Sequence, residues 1–155
     1  MYSKILVAVD GSDTSIYALK QAIELARSLS ATLRIVHVVD MSWLPIGPEI
    51  AIDTAVMRAA RRGAGENIIS AARDLAQEAG FEAEVVLIET ETPIQHVAEA
   101  IVREAARWAV DLVVLGPHGR RGLQHLLLGS VAEQMARVSS GPVLLVPLPK
   151  ASASA

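Results

Sequence analysis

The sequence predicts an α/β fold: a doubly wound five-stranded parallel sheet with helices on both faces, in a three-layer sandwich. Two observations support this prediction. Short, nearly continuous apolar runs alternate with segments whose apolar residues recur at helical spacing, which gives the order β-α-β-α-β-α-β-α-β. Strands that are apolar throughout are typical of a parallel sheet covered on both faces, and right-handed crossovers then distribute the helices over those faces.

Five apolar runs are the predicted strands. They are rich in Val, Ile and Leu, and because aromatic residues make up only 3% of the chain, we expect an aliphatic core. The runs are KILVAV at 4–9, ATLRIVHVV at 31–39, FEAEVVLIE at 81–89, VDLVVLG at 110–116 and PVLLVPL at 142–148.

Four segments between these runs have the apolar spacing of helices. They lie at 13–29, 68–79, 93–108 and 131–138. Gly80 is the expected end of the second helix. The third has a sharp predicted start, with Thr92 as N-cap, Pro93 at the first helical position and Gln95 completing a capping box.

Length and composition restrict the classes of protein. The 155 residues fit one domain, which we place at 1–148, followed by a small polar tail at 149–155 that we expect to be disordered. The chain contains no cysteine, which excludes disulfides and thiolate metal sites. It lacks the pattern of a signal peptide, and no apolar run approaches the ~18 residues of a membrane span, so we expect a cytoplasmic protein that does not bind membranes. The net charge of −3 offers no basic footprint for nucleic acid.

A glycine-rich basic loop, GPHGRRGLQHLLLGS at 116–130, follows the fourth predicted strand. Its glycines at 116, 119 and 129 would let backbone amides approach an anion closely. The helix that begins after it adds free N–H groups and a favourable dipole, and the Ser130 hydroxyl is another donor. Arg120 and Arg121 add positive charge. The loop therefore predicts a phosphate site, although neither GxxxxGK[ST] nor a GxGxxG after the first strand is present.

The spacing Gly116-x-x-Gly119, nine residues, Gly129-Ser130 resembles the nucleotide-binding signature of the universal stress protein family. KILVAVDGSDTS resembles the opening strand and turn of that family, LRIVHVVD its second strand, and SSGPVLLVP its closing strand. The resemblance covers about residues 3–148. It implies the same fold, with strand order 3-2-1-4-5.

The resemblance also implies an adenine nucleotide, ATP or AMP, and a role for each matching residue. Asp10 would contact the ribose hydroxyls, and the Val38 backbone would hydrogen-bond the edge of the base. The remaining implied contacts are Ala8 and Val9 at the adenine, Gly116 at the ribose, and Gly119, Gly129, Ser130 and Val131 around the phosphates.

Several of these residues also have a purely structural interpretation. Asp10, followed by GSD, fits a turn and a helix cap. Ser130 and Glu133 fit a capping box, which would occupy the same hydroxyl. Arg120 and Arg121 fit a solvated loop surface.

Other features limit the prediction. Pro117 stands where the family more often has a small polar residue, and it removes a backbone donor. His37, inside a strand, is expected to be a core or edge histidine. His96 and His125 show no metal-ligand spacing, so we predict no metal site. A Mg²⁺ ion would be carried by the nucleotide phosphates.

The sequence favours a regulatory protein over an enzyme. No base or water-positioning residue is evident, and no second acid stands near the glycine signature, so at most slow ATP hydrolysis is expected. Nucleotide would act by biasing the loops 40–50 and 117–128. The alternatives are a dimeric signalling module that binds no nucleotide and a small adenine-nucleotide-dependent enzyme.

The last run, at 142–148, predicts a homodimer. It would be an exposed apolar edge strand, which is a liability unless it is covered or paired. Pairing with its own copy across a two-fold axis would cover it, and the family resemblance implies the same arrangement. The alternative is that Pro147 blunts the edge of a monomer.

Overall fold

The computed structural model describes residues 1–42, 54–90, 96–119 and 128–150. Within those ranges no helix is both long and apolar enough to cross a bilayer. The elements are β1 (Lys4–Ala8), α1 (Asp13–Leu29), β2 (Thr32–Val39), α2 (Thr54–Glu78), β3 (Glu84–Glu89), α3 (Val97–Trp108), β4 (Leu112–Leu115), α4 (Ser130–Val138) and β5 (Val143–Leu145). Most of the predicted tail at 149–155 lies outside the described residues.

The five strands form one parallel sheet in the order β3-β2-β1-β4-β5. Successive residues of β1 face opposite layers, as the alternation of a strand requires. Ile5 and Val7 pack in one core with α1 and α2, and Leu6 packs in the other with α3 and α4. The predicted three-layer sandwich is therefore confirmed, with an aliphatic core on each face of the sheet.

Two strands, β3 and β5, are shorter than predicted because of the hydrogen bonds that their backbones make with neighbouring elements. β3 begins at Glu84 because the Phe81 N–H bonds to the Ala76 carbonyl at 2.9 Å, after Gly80 has turned the chain with φ 67°. Gly80 thus ends α2 as predicted. β5 is short because its neighbour β4 ends at Leu115, whose carbonyl accepts the last rung from the Val146 N–H at 2.9 Å.

The helix starts contain the larger errors. α2 begins at Thr54, well before the predicted stripe at 68–79, because its first turns are largely exposed and so have no apolar stripe to detect. α3 begins at Val97, with His96 as an extended N-cap that makes no side-chain cap hydrogen bond. The predicted capping residues Thr92, Pro93 and Gln95 lie outside the described residues.

An ion-pair cluster anchors α3 to the sheet. Glu104 of α3 is only 4% exposed, and its carboxylate contacts Arg34 of β2 at 2.7 Å and Arg107 at 2.5 Å. The Arg34 guanidinium also lies over the Trp108 ring at 4.1 Å and pairs with Glu84 of β3. A buried carboxylate with two cationic partners holds the helix in one position, so the N-terminus of α3 is fixed at the opposite edge of the sheet.

Candidate functional site

A cleft of about 600 Å³ opens at the carboxyl ends of β1, β2 and β4. The chain winds in opposite directions from β1 and from β4, and doubly wound sheets bind ligands at such a switch point. All nine residues predicted for the nucleotide site line this cleft: Ala8, Val9, Asp10, Val38, Gly116, Gly119, Gly129, Ser130 and Val131. Their individual roles in binding stay predictions.

The turn from β1 to α1 is closed by its own hydrogen bonds. Asp10 Oδ1 accepts the Ser12 N–H at 2.9 Å, and Ser12 Oγ accepts the Ser15 N–H at 3.2 Å as the N-cap of α1. The Asp10 N–H donates to Ser15 Oγ at 3.2 Å. The structural interpretation of Asp10 is therefore correct, because one carboxylate oxygen, Oδ1, takes part in the turn.

The second oxygen of Asp10 lies beside the glycine-rich loop. A Cβ added to Gly119 would be 3.0 Å from Asp10 Oδ2, a tight contact that glycine avoids where the two turns meet. Asp10 and the glycine signature thus lie at the same rim of the sheet. Gly116 has a different steric reason, because a Cβ there would be 2.7 Å from Thr14 Cγ2 at the start of α1.

The two ends of the loop are joined by a backbone hydrogen bond. The Gly129 N–H donates to the Pro117 carbonyl at 2.7 Å. A Cβ on Gly129 would lie 3.2 Å from that carbonyl oxygen and 3.3 Å from His118 Cα. Gly129 therefore allows a close approach within the protein, and its own N–H is engaged by the loop rather than left for an anion.

The N-terminus of α4 is uncapped. Gly129 is the N-cap, in extended conformation with φ −63° and ψ 157°, and no side chain caps the helix. The predicted capping box is wrong, because Ser130 is already helical and Glu133 instead pairs with Arg137 at 2.7 Å. In the described part of the chain, the N–H groups of Ser130, Val131 and Ala132 have no acceptor. These donors and the helix dipole favour an anion at this end of the cleft.

The other end of the cleft is formed by the carboxyl half of β2. His37 is 9% exposed, and its Nδ1 lies 2.7 Å from the Val9 carbonyl oxygen, so it is a nearly buried, hydrogen-bonded histidine. Val38, also nearly buried, lines the cleft beside it. The apolar wall between them and β4 includes Val36, Ile101 and Leu115. This end suits a flat apolar group, and the α4 end suits a charged one.

A match over residues 1–147 to the model of the universal stress protein family decides the classification. The chain belongs to that family. Universal stress protein MJ0531 of Methanocaldococcus jannaschii is 34% identical over 97% of this chain and 85% of its own length. Universal stress protein YxiE of Bacillus subtilis is 34% identical over 94% of this chain and 99% of its own length.

Solved structures of the family have the same fold. One from Burkholderia pseudomallei has a TM-score of 0.73 at 32% identity and covers 94% of this chain and 96% of its own. The Archaeoglobus fulgidus protein in complex with dAMP has a TM-score of 0.64 at 26% identity, covering 94% and 98%. A universal stress protein in complex with cAMP has a TM-score of 0.68 at 27% identity, covering 94% and 97%.

Sequence reasoning missed a second acid in the cleft. Asp40 follows β2 and lines the cleft on the β2 side, away from the glycine signature near which no second acid was expected. Its Oδ1 accepts the Ser42 N–H at 2.9 Å, and its carbonyl accepts from Arg61 Nη1 at 2.7 Å. The available clue was position, because the carboxyl ends of adjacent parallel strands share one edge.

Other predictions concern residues that the structure does not describe. Arg120 and Arg121, most of the predicted loop at 40–50 and much of 117–128 lie outside the described ranges. Within those ranges, no three or more His, Asp or Glu side chains are grouped to hold a metal ion.

Proposed function

We propose that this chain is an adenine-nucleotide-binding regulatory protein of the stress response, with ATP or AMP as its ligand. One observation carries the proposal: the Asp10 carboxylate and the uncapped N-terminus of α4 line the same cleft, and Gly119 brings their two turns into contact. A ribose hydroxyl would donate a hydrogen bond to the Asp10 carboxylate, and a phosphate would accept hydrogen bonds from the N-terminus of α4.

The two ends of the cleft differ in a way that orients a nucleotide. The base would lie against Ala8, Val9 and Val38, and the phosphates would accept hydrogen bonds from the first turn of α4. Two related structures, which match this chain over nearly their whole length, are complexes with dAMP and cAMP. Both ligands contain an adenine base and a phosphate. A Mg²⁺ ion would be bound through the phosphates and water.

The positions of the acids support slow or absent hydrolysis. In the order β2-β1-β4, Asp40 follows β2, and the predicted phosphate site follows β4. Two strand spacings separate them, roughly 10 Å. Asp10 is assigned to the ribose, so among the described residues no acid is placed to orient water at the phosphates.

Mass spectrometry of the small molecules released on denaturation tests the ligand directly. We expect an adenine nucleotide, and calorimetric titration of nucleotide-free protein with ATP and AMP should then give saturable binding. Phosphate release from bound ATP should take many minutes per turnover or longer. Neither released nucleotide nor heat at millimolar ATP and AMP would contradict the proposal and favour a signalling module that binds no nucleotide.

We also propose that β5 pairs with its own copy in a homodimer. Leu144 is 41% exposed and Leu148 46% exposed at this edge of the sheet. The Val113 N–H bonds to the Pro142 carbonyl and the Val146 N–H to the Leu115 carbonyl, so the even-numbered residues of β5 face β4. By alternation, the N–H and C=O groups of Val143 and Leu145 face outward and are available to a second strand.

Leu145→Pro tests the dimer with little damage to the protomer. The substitution removes an outward N–H and leaves the bonds to β4 in place, and proline is tolerated in edge strands. We expect sedimentation to show a dimer for the wild type and a monomer for the variant, with thermal stability at high dilution nearly unchanged. A wild type that is monomeric at high micromolar concentration would contradict the proposal and favour an edge blunted by Pro147.

A further inference from the structure

The hydrogen-bond ladder between β1 and β2 ends one rung early. The Val9 N–H donates to the Val36 carbonyl at 2.9 Å, as a regular parallel ladder requires. The next rung would join the Val38 N–H to the Val9 carbonyl. That carbonyl is instead bonded by the His37 side chain, at 2.7 Å from Nδ1. Because a carbonyl oxygen only accepts, His37 Nδ1 carries the proton.

This exchange leaves the backbone of Val38 facing the cleft. The Thr90 N–H donates to the Val39 carbonyl, so the odd residues of this part of β2 face β3. By alternation, the N–H and C=O of Val38 face the side of β1, just beyond the last pair of the β1–β2 register. The register of β1 with β2 ends at the pair Ala8 and Val36, and among the described residues no backbone hydrogen bond outside the strand ladders engages either group. Val38 therefore presents one donor and one acceptor, side by side, to the cleft.

The packing around His37 holds the ring in this position. Gly65 of α2 lies against it: a Cβ on Gly65 would be 3.2 Å from His37 Cδ2 and 2.5 Å from Val39 Cγ2. A glycine inside a helix is unfavourable to the helix itself. Here it lets α2 approach β2 closely enough to bury the ring, so the imidazole and the Val9 carbonyl stay aligned.

We infer that His37 is a positioning residue for base recognition: it occupies the Val9 carbonyl and so keeps the Val38 N–H, which lies beside the Val38 C=O, available to the edge of adenine. The inference rests on the proposed function and adds that the site selects adenine over other purine bases. Adenine offers an acceptor at N1 beside a donor at its 6-amino group, which match the N–H and the C=O of Val38. Hypoxanthine and guanine offer a donor at N1 beside an acceptor at O6, the reverse pattern, and both should be rejected.

Amide hydrogen exchange of nucleotide-free protein tests the positioning without any ligand. In the wild type we expect the Val38 amide to exchange much faster than the amides of Val36 and Ile35. In His37→Leu the Val9 carbonyl loses its donor, and the Val38 N–H should bond to it and become protected at least about tenfold. His37→Asn keeps an N–H donor on the δ-nitrogen and should behave like the wild type. A Val38 amide that is already protected in the wild type, or is unchanged in His37→Leu, would overturn the inference.

Nucleotide selectivity is the second readout. The wild type should bind ATP roughly tenfold to hundredfold more tightly than ITP, which differs only at the base edge. His37→Leu should lose most of that ratio by weakening ATP, while His37→Asn keeps it. Ile35→Ala, on the same strand and the same face but outside the cleft, is the matched control: it should lower stability and leave the ratio unchanged.

The two readouts separate the possible failures. A wild type that binds neither ATP nor ITP would end the proposed function, yet hydrogen exchange would still decide whether His37 keeps Val38 open. A wild type that binds ATP and ITP equally well would overturn the selectivity. A ratio that Ile35→Ala lowers as much as His37→Leu does would show that His37 acts through stability alone.

Discussion

Two strand-to-helix turns meet at the cleft and use similar backbone geometry in opposite ways. Each places a helix N-terminus, of α1 or α4, at the carboxyl end of a parallel strand, where free N–H groups and the helix dipole favour an anion. At α1, Ser12 caps the helix and Asp10 adds a negative charge. At α4, Gly129 offers no side chain, and within the described residues the first amides lack acceptors.

The difference shows how one residue at the N-cap position assigns a role to a helix end. A capped terminus next to a carboxylate repels phosphate and accepts hydrogen bonds from a sugar. An uncapped terminus attracts phosphate. Because the two turns are neighbours at the switch point of the sheet, together they would orient a nucleotide.

The largest expected effect comes from adding a carboxylate to the turn before α4, like the one that Asp10 supplies to the turn before α1. Gly119→Asp would place a second carboxylate next to Asp10 Oδ2, 3.0 Å from the added Cβ, and close to the predicted phosphates. We expect calorimetry to show ATP affinity reduced about 100-fold or more. Gly63→Asp is the matched control, since a Cβ at Gly63 meets nothing within 4 Å, and it should bind ATP as the wild type does. Equal losses in the two variants would contradict the assignment.

Removing the Asp10 carboxylate from the turn before α1 should have the next largest effect. Asp10→Ala is expected to weaken ATP about tenfold to hundredfold, as for lost hydrogen bonds to a charged group. The effect on 2′,3′-dideoxy-ATP should be much smaller, because that ligand lacks the hydroxyls. Asp10→Asn keeps an acceptor for the Ser12 N–H and separates damage to the turn from loss of the charge. If Asp10→Ala weakened both nucleotides equally, Asp10 would not contact the ribose hydroxyls.

The two serines at the helix starts should give opposite results. Ser12→Ala removes the cap of α1 and should lower the free energy of unfolding by about 1 kcal/mol, with ATP affinity nearly unchanged. Ser130→Ala removes no cap and should leave stability nearly unchanged, but weaken ATP about fivefold. Denaturant unfolding and calorimetry on both variants measure the contrast. A stability loss in Ser130→Ala similar to that in Ser12→Ala would erase the distinction between the turns.

The smallest expected effect concerns a carboxylate at the opposite edge of the sheet. Asp111 Oδ2 accepts the N–H groups of Ser3 at 2.8 Å and Lys4 at 2.9 Å, and these bonds hold the pKa of Asp111 below its usual value of 3.8. The stabilisation is therefore present above that value and is lost as the pH falls through the lower, folded pKa. Wild type should melt slightly above Asp111→Asn at neutral pH, and the gap should close in strong acid. ATP affinity should not change in Asp111→Asn, since this edge lies away from the cleft.

The fold class and the gathering of the site residues were predictable for a physical reason. In a parallel sheet every strand ends at the same edge, so Asp10 and Gly116, each at the carboxyl end of a predicted strand, were expected to lie near one another. The strand order itself came from the family resemblance, because the apolar runs alone do not show which strands are neighbours in the sheet.

Tertiary contacts explain what the sequence could not predict. The steric reason for Gly116 is Thr14 of α1, and the Gly129 N–H is engaged by the Pro117 carbonyl across the loop; neither partner follows from local spacing. The start of α2 was placed too late because its exposed first turns, from Thr54 onward, carry no apolar stripe. His37 was expected to be a core or edge histidine and is nearly buried, but its bond to the Val9 carbonyl depends on where the β1–β2 ladder ends.

The bond between the Gly129 N–H and the Pro117 carbonyl fixes the spacing of the two ends of the loop, so the chain between Gly119 and Gly129 could be replaced without moving them. Its two ends are fastened to the rigid body independently of what joins them, so evolution or an engineer could exchange, shorten or extend the insert while the anchoring points remain in place. Doubling such a length adds only about 0.6 kcal/mol of closure entropy. Variation among homologues should therefore concentrate between these two anchors, where a new recognition property could arise at little cost to folding.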